Sequence, residues 1–184
     1  LDKHNITIDD IVFKIGPRIN AAGRMEVDSD DENAAPSGGH SAVYLMVARD
    51  EEVASEYGAF IDTCNQDRKN IDRSITQEAH EIIESRPELK NRKSTVIYNP
   101  KWMKGIVGIV ASRLIETYYR PTVVLTMSNG YVTGSARSVP GFDLYQAVES
   151  CADLLENFGG HIYAAGLTMR PENVDEFTRR FNAY

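Results

Sequence analysis

Cysteine is scarce in this sequence. Cys64 and Cys151 stand alone among 184 residues, with no Cys-x-x-Cys spacing. Two isolated thiols exclude a disulfide framework and read as reduced core or surface residues. Long apolar runs are missing too: the longest, Ile106 to Ala111, is broken by Gly108 and falls far short of the ~18 residues needed to cross a bilayer. The first ten residues carry Lys3, His4 and three aspartates where a signal peptide needs an apolar stretch. The expected location is therefore the cytoplasm, with no membrane contact. His4, His40, His80 and His161 are scattered without H-x-x-x-H or H-E-x-x-H spacing, and the aspartates at 28 to 31 lack the glycine and final glutamate of a calcium loop. No metal centre is expected within these residues. Neither a G-x-x-x-x-G-K-[ST] phosphate loop nor a G-x-S-x-G elbow occurs. The sequence begins with Leu1 rather than Met, so a longer polypeptide is expected.

Basic residues are outnumbered, 20 to 27, for a net charge of −7. Such a balance argues against a protein that wraps duplex DNA, since phosphate backbones are met by basic surfaces. The distribution is uneven. From Asn91 to Val148 the net charge is +5, which leaves −12 elsewhere. A locally basic patch on an acidic body suits one phosphodiester strand held in a defined pocket. Hydrophobic residues at 42% and charged residues at 26% are ordinary for a folded chain.

The pattern along the chain predicts an α/β fold, a small mixed sheet flanked by helices and preceded by a long connector helix. Residues 1 to 39 read as an ordered interdomain segment, a loop over 15 to 25, followed by an acidic mobile loop from Glu26 to Gly39. Residues 40 to 90 read as helical: Ser41 to Tyr57, then Ile61, Cys64, Arg68, Ile71, Ile75 and Ile82 at three- and four-residue steps, ending near Pro87. From residue 91 the texture becomes α/β. Strands are expected at 95 to 98, 121 to 126, 131 to 136 and 161 to 168, with an Asn129-Gly130 hairpin turn. Helices are expected at 105 to 119, from an Asp143 cap to Phe158 with Gly159 as the stop, and from Pro171 onward.

Four segments concentrate groups able to grip a phosphate. In Gly134-Ser135-Ala136-Arg137, residues two apart on a strand share a face, so a hydroxyl and a guanidinium project together, and Gly134 lets a ligand approach the backbone. The alternative is a surface arginine in an ion pair beside a turn. In Gly159-Gly160-His161, the imidazole can donate to a phosphate or a leaving oxygen, or serve as a cap or a partly buried side chain. Gly105 and Gly108, three apart on a helix, suit close packing, while Lys101 and Lys104 ahead of that helix can assist an anion and Trp102 can stack on a base or on its own protein. In Pro17 to Arg24, Arg18, Asn20 and Arg24 among small residues suit either a ligand or an interdomain strap.

Taken in order, IGPRINAAGRM (15 to 25), GIVGIVASRL (105 to 114), RPTVVL (120 to 125), GSARSVPGFDLYQA (134 to 147) and FGGHIYAAGLT (158 to 168) resemble the RecJ family of single-stranded-DNA-specific exonucleases in the DHH phosphoesterase superfamily. The resemblance spans nearly the whole chain except the acidic loop. It implies a DHH-associated substrate-binding domain at 91 to 184, and an N-terminal DHH domain, absent from this sequence, that binds two Mn²⁺ or Mg²⁺ ions. It implies 5′-to-3′ hydrolysis of single-stranded DNA in repair and recombination, with single-strand-binding protein as a further partner and no activity in these residues alone. Arg24, Ser135 and Arg137 would hold the 5′-phosphate with Asn20 nearby, and His161 would lie close to the scissile phosphate. Met103 departs from the family, where a histidine is common. Rival readings are a phosphoesterase acting on oligoribonucleotides or cyclic dinucleotides, a non-catalytic nucleic-acid-binding module, and a tRNA-synthetase editing domain, which leaves PRINAAGR unexplained.

Overall fold

A computed structural model describes residues 5–25 and 38–184. These form two compact units, Leu1–Ile71 and Asp72–Tyr184. No helix among the described residues is long and apolar enough to cross a membrane.

The first unit is helical. A short α1 (Ile8–Asp10) opens with a capping box in which Thr7 and Asp10 bond each other's backbone N–H, and a π-helical stretch, Ile11–Ile15, leads into α2 (Gly16–Arg24). The loop expected over 15 to 25 is thus a helix. Gly16-Pro17 sits where the π-helical stretch passes into α2, so the proline stands within a continuous helical run at a change of hydrogen-bond register. Helix α3 (Gly38–Val47) follows, so Gly38 and Gly39 are helical, while 26 to 37 of the expected mobile loop lie outside the described residues. The single helix expected over 41 to 57 is broken at 48 to 50. There Asp50 accepts from the backbone N–H groups of Glu52 and Val53 (2.9 and 3.2 Å) and caps α4 (Glu51–Glu84). The unit's small core joins Ala22, Ala42 and Ile61, with Ile19 and Leu45 against them.

The second unit holds the later part of α4, α5 (Pro87–Lys90), β1 (Thr95–Tyr98), α6 (Lys104–Tyr118), β2 (Thr122–Ser128), β3 (Tyr131–Arg137), α7 (Leu144–Glu149), β4 (Leu155–His161), β5 (Ala164–Met169) and α8 (Val174–Ala183). The sheet order is β1-β2-β3-β5-β4, with β1 and β2 parallel and the other pairs antiparallel. Asn129 and Gly130 both take positive φ, 50° and 78°, as a two-residue hairpin turn requires. Along β2, β3 and β5, Val123, Leu125, Val132, Ala136, Ala165, Leu167 and Met169 face one core with Leu144, Ala147 and Val148 of α7 and Phe177 and Phe181 of α8. Helix α6 packs over β2 and β3.

The helix expected from Asp143 to Phe158 is much shorter. Asp143 does cap α7, accepting from Gln146 N at 3.1 Å, but the helix ends at Glu149. A 3₁₀ turn, Ala152–Leu154, then delivers the chain into β4, so Phe158, Gly159 and Gly160 are strand residues and not a helix stop. Physically, a Gly-Gly pair serves both a helix end and a strand that must approach its neighbour closely.

Polar side chains tie α4 to the sheet layer. Arg113 forks onto the buried Asp72 carboxylate at 2.8 and 2.7 Å. Tyr118 donates to Glu84 at 3.1 Å, and His80 Nδ1 lies 3.0 Å from the same hydroxyl. With that proton given to Glu84, the His80 contact requires the Nδ1–H tautomer. Buried Arg120 donates to Thr95 Oγ1 and to the carbonyls of Leu89, Lys90 and Arg92, clamping the approach to β1, and burial pulls its guanidinium down from its ordinary value.

Two outcomes test this packing. Arg120→Met strands three carbonyls and one hydroxyl and is expected to cost about 3 kcal/mol or more in urea unfolding; a loss below about 1 kcal/mol counts against the clamp. Burial, then the Glu84 acceptor, pushes Tyr118 up to about 12. An unfolded tyrosine ionises near 10, so this hydroxyl's contribution to stability is full below about pH 10 and is lost as pH rises through about 12. In an ultraviolet titration one of the nine tyrosines should ionise late, and Tyr118→Phe should remove that component.

Candidate nucleic-acid interface

The pleat of β3 sorts its residues. Val132 and Ala136 enter the core, and Thr133, Ser135 and Arg137 take the opposite face, under α6. Arg137 Nη1 donates to Ser135 Oγ at 2.7 Å and to the Ala136 carbonyl at 2.8 Å, so hydroxyl and guanidinium form one partly buried unit. Gly108 of α6 makes room for it: a Cβ there would lie 3.0 Å from Ser135 Oγ and 3.1 Å from Arg137 Nη2.

Strand register extends this face. Ser135 pairs with Gly166, which pairs with Gly159, and Arg137 pairs with Ala164, which pairs with His161. Directly paired residues share a face, so Ser135, Arg137, Gly159 and His161 lie on the same side of the sheet, with only glycine and alanine between them. Two strand spacings put the Arg137 and His161 backbones about 9.6 Å apart. His161 is exposed, and its Nδ1 accepts from Tyr163 N at 3.3 Å, which in the neutral ring leaves the proton on Nε2, a donor.

The glycines divide by role. A Cβ on Gly134 would lie 2.5 Å from both Leu125 Cδ2 and the Val124 carbonyl, so this residue is glycine for strand packing and not, as expected from sequence, for ligand approach. Gly160 has φ +154°, and a Cβ would meet the Ala164 carbonyl at 2.2 Å. Gly159 has nothing within 4 Å of that position. The Gly-Gly-His segment thus spends one glycine on the fold and leaves the other open.

The remaining predicted positions fall differently. Trp102 is buried, its Nε1 donating to Glu78 at 2.9 Å, so the expectation that it stacks on a base is corrected. Lys101 and Lys104 are exposed at the start of α6, whose cap position, Met103, supplies no side-chain acceptor. Asn20 and Arg24 lie in the first unit, four apart on α2 and both exposed. Arg18 pairs with Asp62 and donates to the Lys14 carbonyl at 2.8 Å, both within the first unit. Sequence reasoning missed Thr133, Asn157, Gly166 and Thr168, which border an open groove of about 340 Å³ with Gly159; the pairing of β5 with both β3 and β4 reveals them. Among the described residues no three His, Cys, Asp or Glu side chains gather as a metal site.

Residues 91–184 match the DHHA1 domain model, and the chain belongs to that family. Over 172 residues it is 38% identical to the single-stranded-DNA-specific exonuclease RecJ of Bacillus subtilis, covering 92% of this chain and 20% of the relative. RecJ of Dickeya dadantii is 34% identical over 190 residues, covering 98% and 31%. The crystal structure of Thermus thermophilus RecJ in complex with Mn²⁺ superposes with a TM-score of 0.79 at 29% identity, covering 95% of this chain and 24% of that one. The chain spans about a fifth to a third of the length of the curated relatives it matches.

The two glycines give a direct test by urea unfolding. Gly160→Ala is expected to destabilise by more than about 3 kcal/mol, since both conformation and space oppose it, and Gly159→Ala by less than about 1 kcal/mol. Equal losses would mean that β4 is not held as described.

Proposed function

We propose that this chain is the substrate-holding part of a 5′-to-3′ single-stranded-DNA exonuclease, with 91 to 184 as the domain that grips the strand. The observation that carries the reading is the shared face of Ser135, Arg137 and His161. A guanidinium fork with an adjacent hydroxyl matches the oxygens of a terminal 5′-phosphate, and His161, across two strands, donates near the scissile phosphate. Such an arrangement positions a phosphodiester, and no carboxylate stands among its three side chains. Hydrolysis is therefore assigned to a DHH domain beyond these residues, which would hold the Mn²⁺ or Mg²⁺. The greater length of the relatives supports this, as do the exposed apolar side chains of the first unit, Ile8 (78%), Phe13 (73%) and Val47 (64%), which suit burial against more of the same polypeptide.

The test is a low-salt titration of fluorescent single-stranded oligonucleotides carrying 5′-phosphate or 5′-hydroxyl ends. The phosphorylated strand is expected to bind more tightly, with a log–log salt slope of about −1.4 if two phosphates are engaged. Arg137→Ala is expected to lose about 10- to 100-fold on that strand and to abolish the preference, as fits a lost charge-assisted bond. No cleavage is expected with Mn²⁺. A mutant that keeps the preference, or a wild type that has none, removes the assignment.

A further inference from the structure

The face that carries Ser135, Arg137 and His161 continues beyond them into a surface with no role so far. Three cross-strand rows succeed one another there: Arg137, Ala164, His161; then Ser135, Gly166, Gly159; then Thr133, Thr168, Asn157. Successive rows are two residues apart, about 6.8 Å. Helix α6 covers the β2 and β3 side of this face, and α7 packs on β4 and β5 from the core side. The middle row has no side chain over two of its three strands. Gly159 and Gly166 are exposed, with nothing within 4 Å of a Cβ on Gly159 and only the Gly134 carbonyl, at 4.0 Å, near one on Gly166. The outer row is polar: Thr168 Oγ1 lies 3.4 Å from Thr133 Oγ1, Thr133 Oγ1 donates to the Leu167 carbonyl at 3.2 Å, and Asn157 is exposed beside them. Together these residues line the groove of about 340 Å³, within the range of small-molecule sites.

We propose that this groove seats the heterocyclic base of the 5′-terminal nucleotide. The inference rests on the phosphate assignment above. If one phosphate sits at Ser135 and Arg137 and the next near His161, the nucleoside between them has its base directed to the side of that line. One row further on, the sheet offers a flat floor without side chains, and beyond it a rim of groups that both donate and accept. A planar ring needs such a floor. Hydroxyls and an amide can meet a donor or an acceptor on a base edge, so the seat holds any base and selects for its presence, not its identity.

The experiment compares 5′-phosphorylated single-stranded oligonucleotides that carry either thymine or an abasic residue at the terminal position, titrated against the 184-residue chain. Wild type is expected to bind the thymine-ended strand about tenfold more tightly. Gly159→Val places a branched side chain over the floor, in space the fold leaves open and in a strand where valine is at home. It is expected to bind both strands equally, at the wild-type level for the abasic one. Should that variant fail to fold, Thr168→Val decides by the same comparison and is expected to narrow the preference. A wild type indifferent to the terminal base overturns the seat, as does a folded variant that keeps the full preference or weakens both strands alike. Arg137→Ala separates the two assignments: if it leaves the 5′-phosphate preference intact, or if no strand binds wild type, the phosphate reading and the seat fall together, whereas an intact phosphate effect without a base effect overturns the seat alone.

Discussion

A β-sheet has a side-chain period of two, and everything this chain can offer a phosphodiester depends on how that period is locked across β3, β5 and β4. If β3 slipped one residue against its neighbours, Ser135 and Arg137 would turn into the core beside Leu144 and Phe177, and Val132 and Ala136 would face outward. Burial of Val132, Ala136, Ala165, Leu167 and Met169 on one side therefore fixes the polar side without any polar contact having to specify it. Close packing reinforces the register. Gly134 and Gly160 each stand where a Cβ would run into backbone or a buried leucine, so their neighbours fit in one alignment only. The site is a by-product of the core, which is why Ser135, Arg137 and His161 share a face although 26 residues separate the first from the last.

Much of this was legible in the sequence. Alternation in Tyr131 to Arg137 and the Asn129-Gly130 turn gave β3 and its pairing with β2, because both signals are local. The Asp143 cap was legible for the same reason. What failed was the end of the helix it starts. The segment 144 to 158 carries enough apolar residues at three- and four-residue steps to continue a helix, and nothing local says that Cys151 and the turn after it must break the run so that β4 can reach the edge of the sheet. Reading 15 to 25 as a loop failed in the opposite direction, since Gly16-Pro17 is a turn signal that here falls at the change from π- to α-helical register within one helical run. The site was legible as residues and not as a surface. Thr133, Thr168 and Asn157 are ordinary polar residues until the β3–β5 and β4–β5 registers align them, and register is a long-range property.

Charge shows the same gap between composition and placement. The basic stretch from 91 to 148 counts seven cations, yet Arg113 is committed to Asp72 and Arg120 is buried as a clamp on the chain entering β1. Arg18, in the other unit, is likewise held by Asp62. Two of the seven cations that make the sequence look locally suited to DNA are thus spent on architecture, and the rest of the sequence carries a negative excess. With a net charge of −7, diffuse attraction is a poor source of affinity for a polyanion. Any affinity must come from a few well-placed donors on desolvated ground, as at the Ser135–Arg137 pair, packed beneath Gly108. Under the proposed reading such a pair favours a strand end over a strand interior, because an end presents a phosphate with more exposed oxygen and charge than an internal phosphodiester. In the proposed reading, an end-recognising grip is therefore the form of binding that a few fixed donors can support without help from diffuse attraction.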